Sequence, residues 1–372
     1  MEPLGPDRVE KKLPSTSESE FRSVLSTSKN IIVVAGAGLS AASGVPTFRG
    51  AGGLWRALDA TSLATPDAFK ANPALCWQFY HYRREKYVRG SKIPSTLFQL
   101  NKTRVFRVLT CELNEAHYIL ARLSIPSVLK KIAPQARSYN LITQNVDGLS
   151  VRALRSLDAE ITSAESTLAD TTNEGTKKTV HKSQRSRFDS ITEMHGRLFE
   201  VRCTSADCDW AVENYSSPLC PALGAGAKEL EDIKEGLENH KTAIAEEDLP
   251  HCQKCGALAR PGVVWFGEKP RHLDQINLMV FKADLCLVIG TSSTVWPASG
   301  FAHRVQKHGG KVAIFNLDRS ENDEKADFLF LGSCETKLAS VLGLSQHEKS
   351  GGDENLRTDL ATPDDLERSR RE

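Results

Sequence analysis

Ile31-Ile32-Val33-Val34-Ala35-Gly36-Ala37-Gly38-Leu39-Ser40-Ala41-Ala42-Ser43-Gly44-Val45-Pro46-Thr47-Phe48-Arg49-Gly50 decides the fold. A β-branched apolar run reads as a buried strand. The glycine-rich turn at its end would let backbone N–H groups approach a phosphate, with a helix N-terminus behind them. Gly36-x-Gly38-x-x-Ala41 fits the dinucleotide-binding pattern G-x-G-x-x-G/A. Pro46-Thr47-Phe48-Arg49-Gly50, however, is not what hydride transfer needs after such a turn.

Similar apolar runs recur at 139–143, 284–289, 311–315 and, more weakly, 328–331. Helical patterns lie between them at 73–87, 115–123 and 297–308. Continuous apolar strands alternating with helices predict an α/β fold, a Rossmann-like parallel sheet with helices on both faces. Ligands of such sheets sit beyond the strands' carboxyl ends. Gln144-Asn145-Val146-Asp147, Gly290-Thr291-Ser292-Ser293 and Asn316-Leu317-Asp318 should therefore share one crevice with the Gly36 turn.

The 372 residues are 40% hydrophobic, enough for a real core, and the net charge of +1 gives no electrostatic case for a nucleic-acid or membrane partner. A monomer is expected. Residues 1–28 read as a polar tail leading into an amphipathic segment around Phe21, Val24 and Leu25. Glu2, Asp7, Glu10, Glu18 and Glu20 argue against a presequence, so cytoplasm or nucleus is expected. Residues 91–112 have no clean period, 157–191 read as a surface insertion, and 345–372 form a charged tail.

Nine cysteines are an odd number, with four at metal-like spacing, which suits a reducing compartment better than a disulfide framework. Cys203-x4-Cys208 and Cys252-x2-Cys255 can each offer two thiolates to one metal. Together they would complete a closed four-thiolate zinc site, structural rather than catalytic, in a small lobe at about 196–259. Buried structural cysteines are the alternative, and Cys220 is a competing ligand without a spaced partner.

Amide and carboxylate groups at Gln144, Asn145 and Asp147 suit a ribose or an amide, or else form an Asx-type turn. His195 in Glu193-Met194-His195-Gly196 is either structural or a general base, and no apolar period claims it for a core. Val263-Val264-Trp265-Phe266-Gly267-Glu268 reads as an aromatic-walled edge able to pair with a peptide backbone, or as an ordinary hairpin strand.

In their order these motifs resemble the sirtuins, NAD-dependent protein-lysine deacylases, over residues 29–344. The resemblance implies a Rossmann-like part at 29–55, 113–155 and 260–344, with an acyl-pocket segment at 56–90. It implies NAD, consumed as a co-substrate, lying across Gly36, Ala37, Gly38, Ser40, Ala41 and Gly44. Thr47, Phe48, Arg49 and Trp55 would belong to the cofactor side, as would Gln144, Asn145 and Asp147. Gly290, Thr291, Ser292, Asn316 and Cys334 would line the adenosine end. His195 and Asn145 would be catalytic, and one structural zinc ion is implied. Acylated-lysine proteins would be the partners, packed against Val264, Trp265 and Phe266.

Tyr80 and Arg83 are three apart in a helical pattern, so a phenol and a guanidinium share one face. Such a pair can grip a carboxylate, or can be a surface tyrosine beside a solvated arginine. Tyr80-x-x-Arg83, with small residues at Ala60 and Ala64, resembles class III sirtuins, which implies malonyl-, succinyl- or glutaryl-lysine and makes a mitochondrial setting possible. Competing expectations are a deacetylase, a mono-ADP-ribosyltransferase, a variant impaired by residues 91–112, an NAD-dependent dehydrogenase and a silent zinc-ribbon module. The dehydrogenase lacks a second strand ending in an acid for the ribose.

Overall fold

The computed structural model describes residues 13–45, 54–55, 58–89, 111–168, 187–225 and 244–344. Thr47, Phe48, Arg49, the side chains of Trp55 and Ala60, and the tail at 345–372 lie outside them.

The chain begins with helix α1 (Glu18–Thr27) and strand β1 (Asn30–Ala35), followed by a 3-10 turn at Ala37–Ser43. A short hairpin, β2 (Leu54–Trp55) and β3 (Leu58–Asp59), precedes helices α2 (Pro66–Ala71) and α3 (Pro73–Arg89). Then come α4 (Glu115–Arg122), α5 (Pro126–Ile132), β4 (Ser138–Thr143), α6 (Leu149–Leu168) and β5 (Ile191–Glu193). The small lobe holds β6 (Gly196–Cys203), β7 (Ala211–Glu213) and β8 (Ala259–Val263). The chain returns through α7 (Leu273–Lys282), β9 (Leu285–Ile289), α8 (Phe301–Lys307), β10 (Lys311–Asn316), β11 (Phe328–Leu331) and α9 (Cys334–Leu342).

Six strands form one parallel sheet in the order β11-β10-β9-β1-β4-β5. From β1 the chain builds outward through β4 and β5, then crosses to add β9, β10 and β11 on the other side. The carboxyl end of β1 is therefore the switch point where an open α/β sheet leaves a crevice. Alternation along β1 serves both faces. Ile31, Val33 and Ala35 pack beneath α1, α4 and α9, whereas Ile32 and Val34 pack under α7 and α8. That two-sided burial explains the unbroken apolar run.

Two expected boundaries are corrected. The polar tail at 1–28 ends in a docked element: Phe21 and Leu25 of α1 are buried, Phe21 lies edge-on to Phe315, Phe328 and Phe330, and Ser15 bridges to Phe328. The insertion at 157–191 is narrower than its composition suggests. Leu157 and Ile161 continue the buried face of α6, and Ile191–Glu193 is a sixth strand. Between them Arg187 and Asp158 form a buried ion pair, with Arg187 Nε 2.8 Å from Oδ1. A polar segment can hide such anchors because its average composition masks a few apolar residues at helical spacing.

The small lobe is an antiparallel sheet, β7-β6-β8. It holds α3 in place. Trp77 Nε1 donates to Ala259 O at 2.9 Å, and buried Arg84 donates to the carbonyls of Leu198, Asn214 and Ser216. Helix α3 carries Tyr80 and Arg83, so the lobe fixes the direction in which they point.

Candidate active site and metal centre

A cavity of about 760 Å³ opens at the switch point. Gly36, Ala37, Gly38, Ala41, Gln144, Asn145, Asp147, His195, Gly290, Thr291, Ser292, Asn316 and Cys334 line it, as do Tyr80, Arg83, Val264, Trp265 and Phe266. Residues far apart in sequence thus meet because the carboxyl ends of all six sheet strands converge there, beside the end of β8.

The glycine turn is tied to the neighbouring strand end. Gly36 N–H donates to Ile289 O at 2.9 Å and Gly38 N–H to Gly290 O at 2.7 Å. Both donors are therefore spent within the protein, and the following segment is a 3-10 turn rather than an α-helix. What the glycines supply is close approach. A Cβ at Gly36 would lie 2.6 Å from Thr291 Cβ, and one at Gly38 2.7 Å from Gly290 Cα. Gly290 itself sits at φ +59°, where glycine is favoured.

Two expected cofactor residues lie off the cavity wall. Gly44 ends the 3-10 turn at φ +78°. Ser40 is 0% exposed and sits behind the wall as the centre of a polar network. Asn145 Nδ2 donates to Ser40 Oγ at 3.1 Å and to Gly36 O at 3.0 Å. Both amide hydrogens are used, which leaves Oδ1 as the acceptor Asn145 can offer. His117 Nε2 lies 3.2 Å from Ser40 Oγ, and its Nδ1 accepts from Asn114 N–H at 3.4 Å. That places the proton on Nε2, pointing at Ser40. Burial first, then Arg152, lowers the His117 pKa to about 3, so it stays neutral.

Asp147 makes the Asx-type turn that was the alternative reading: Oδ1 accepts from Leu149 N–H at 2.8 Å at the start of α6. Burial raises its pKa, opposed by hydrogen bonds from Leu149 and Ser40 and by the charge of Arg83. Across the cavity Gln144 Nε2 donates to Thr291 Oγ1 at 3.3 Å. Asn316 and Thr291 exchange a reciprocal pair at 3.0 and 3.1 Å. Cys334, at the start of α9, is buried against Phe315.

His195 follows β5, and Gly196 turns the chain at φ +74°, where a Cβ would strike Gly262 O. Its Nδ1 lies 3.0 Å from Gln144 O. A carbonyl can only accept, so Nδ1 carries the proton and Nε2 keeps a lone pair. Burial lowers its pKa, partly offset by the Gln144 carbonyl. The ring is thus held as a neutral base of fixed tautomer.

The aromatic segment lies beyond the end of its strand. Strand β8 ends at Val263. Val264 N–H donates to His195 O, Trp265 N–H to Glu268 Oε2 and Phe266 N–H to Ala64 O, at 2.8 to 2.9 Å. These three N–H groups are spent within the protein, so any peptide pairing here would use other backbone groups of the segment. Tyr80 is 2% exposed rather than a surface tyrosine, and Trp265 Nε1 donates to its Oη at 2.9 Å. Arg83 Cζ stands 5.8 Å from the Phe79 ring centroid. Sequence reading missed Glu268, Arg260 and His117 as supports, because their partners lie on other elements. It also missed Trp296, 76% exposed at the cavity rim, whose only signal was an aromatic residue beside proline after a strand end.

The Sγ atoms of Cys203, Cys208, Cys252 and Cys255 lie within 4.8 Å of one another, with Cys203–Cys255 at 3.4 Å and Cys208–Cys252 at 3.7 Å. Zinc–thiolate bonds of about 2.3 Å imply S···S separations of about 3.8 Å in a tetrahedron, so the donor set fits zinc. Backbone N–H groups of Ser205 and Lys254 point at Cys203 and Cys252 sulfurs at 3.3 Å, as thiolates require. Cys220 is not in the group. Stripping the metal with a chelator is expected to release about one zinc per chain, lower the melting temperature and abolish turnover, since the lobe holds α3. Metal release measured beside activity checks this; full activity in the stripped protein would exclude it.

The Sir2 family model matches residues 36–110 and 179–297. A dog protein named NAD-dependent protein deacylase sirtuin-5, mitochondrial, is 39% identical over 336 residues, covering 88% of this chain and 86% of its own. A Sir2 homologue solved as an NAD complex superposes with a TM-score of 0.59 at 28% identity, covering 89% of this chain and 95% of that one. A mutant Sir2 homologue solved with 2'-O-acetyl ADP ribose gives 0.58 at 28% identity, covering 92% and 98%.

Proposed function

The chain belongs to the Sir2 family, and from that premise we propose that its cavity removes negatively charged acyl groups, such as malonyl, succinyl and glutaryl, from protein lysines. The enzyme is an NAD-dependent protein-lysine deacylase of the class III sirtuin type, yielding nicotinamide and O-acyl-ADP-ribose. The single observation carrying the acyl class is Tyr80 and Arg83 facing one cavity with His195.

NAD, when bound, supplies a ribose carbon activated by its positively charged nicotinamide leaving group. The remaining work falls to this chain. Gly36, Gly38 and Gly290 bring the ends of β1 and β9 together as one wall, and Asn316 and Thr291 brace the adenosine side. Asn145, oriented by Ser40 and Gly36, presents Oδ1 to a ribose hydroxyl. His195 Nε2 takes the proton of the hydroxyl that receives the acyl group. Val264, Trp265 and Phe266 enclose the acyl-lysine chain and exclude water. Tyr80 and Arg83 bind the distal carboxylate, for which a guanidinium and a phenol in a buried setting are a strong donor pair.

The discriminating experiment offers acetyl-, malonyl- and succinyl-lysine peptides with NAD and follows nicotinamide release. Faster turnover of the acidic acyl groups is expected, and a preference for acetyl would overturn the acyl class. Its substrates are acylated proteins, on which it acts as a monomer with no nucleic-acid or membrane partner. Among the described residues no helix is long and apolar enough to cross a membrane. For compartment, the mitochondrial names of vertebrate relatives support a mitochondrial setting over the cytoplasm or nucleus expected from the acids near the N-terminus.

A further inference from the structure

Trp265 is held at both ends more firmly than a wall residue requires. Its ring lies between Phe69, with centroids 5.1 Å apart, and the Arg260 guanidinium, whose Cζ is 3.4 Å from the ring centroid. Arg260 is fixed in turn by Glu268 through two hydrogen bonds of 2.6 and 2.9 Å, and it donates to Val263 O. The same Glu268 accepts the backbone N–H of Trp265 at 2.8 Å. Burial would raise Glu268, but hydrogen bonds from Arg260 and Trp265 hold it below the usual carboxylate range, so the clamp stays charged.

The end of this clamp is the indole N–H, which reaches Tyr80 Oη at 2.9 Å. A phenol has one proton, and conjugation keeps its O–H near the ring plane, with two orientations. An indole is a donor only. The indole N–H therefore takes one side of Oη as an acceptor and leaves the phenol proton the other. Tyr80, Arg83 and Trp265 line the same cavity. A neutral acyl chain has no terminal acceptor there, whereas a carboxylate has two.

We propose that Trp265 is a specificity-determining positioning residue: its indole N–H, fixed by Arg260 and Glu268, commits Tyr80 to donate its proton to the distal carboxylate of an acidic acyl group. The inference rests on the acyl-class reading above and deepens it. Tyr80 then acts as a one-way donor beside Arg83, and selectivity depends on a residue that itself offers the carboxylate nothing.

Trp265→Phe keeps an aromatic ring against Phe69 and Arg260 and removes the N–H, together with the pyrrole part of the indole. Because Trp265 also walls the acyl-lysine channel, both reactions are expected to lose kcat/KM, but desuccinylation should fall about tenfold further than deacetylation, mostly through KM. In a Tyr80→Phe background the same substitution should separate the two substrates no further, since its target is gone. Glu268→Gln, which keeps the shape but weakens the clamp, should show a smaller split in the same direction and serves if Trp265→Phe fails to fold. Equal losses on both substrates, or an undiminished split in the Tyr80→Phe background, would overturn the role of Trp265. If Arg83→Met and Tyr80→Phe also fail to discriminate the substrates, the acyl-class reading itself falls. If those two discriminate and Trp265→Phe does not, only this inference falls.

Discussion

His195→Ala is expected to lower deacylation by about 10²- to 10⁴-fold, the range for losing a positioned general base. The structure makes the loss specific. Nδ1 is committed to Gln144 O at 3.0 Å, so Nε2 is the basic atom, and no other described imidazole lines the cavity. In single turnover, release of nicotinamide should survive far better than transfer of the acyl group, because the base acts at the later proton transfer. The sign of the pH effect follows from burial. The imidazolium is disfavoured in the folded enzyme, so His195 protonates below its ordinary value of 6.5. The acid limb of kcat/KM should therefore lie below that pH. A limb above it, or a His195→Ala variant with full activity, would remove His195 from the base role.

Arg83→Met should lower desuccinylation by about a hundredfold or more, since truncating one partner of an enclosed charge pair leaves the other charge uncompensated. Deacetylation should fall far less. A modest common loss is expected on both substrates because Arg83 also holds the Asp147 pKa down against burial. The ratio of the two kcat/KM values is therefore the measurement, and equal losses would place Arg83 outside acyl recognition.

These two residues show how unevenly the site was legible. His195 stood out because a glycine follows it and no apolar period claims it, and both features are local. Arg83 was legible only jointly with Tyr80, through helical spacing. Their supports were not. Glu268 reads only as the end of the aromatic segment, Arg260 carries no local signal, and His117 is one residue of a helical pattern, because their partners come from other elements. Ser40 was illegible in the same way: a motif position tells which turn a residue occupies, not that its hydroxyl is buried against Asn145 and His117.

Alternation and motif spacing, carried by near neighbours, determined from sequence alone the parallel α/β sheet, its covered faces and the thiolate quartet, and the ordered resemblance to the sirtuins supplied the family of chemistry. Long-range packing decided the rest. Gly36 and Gly38 were conspicuous in the chain as a phosphate cradle, and only the fold shows that their own N–H groups bond to Ile289 and Gly290 and that their missing side chains let the turns after β1 and β9 touch. Which way the Tyr80 proton points was likewise decided by Trp265, 185 residues away. Hydrogen-bond direction depends on the partner that arrives through folding, and no local pattern records it.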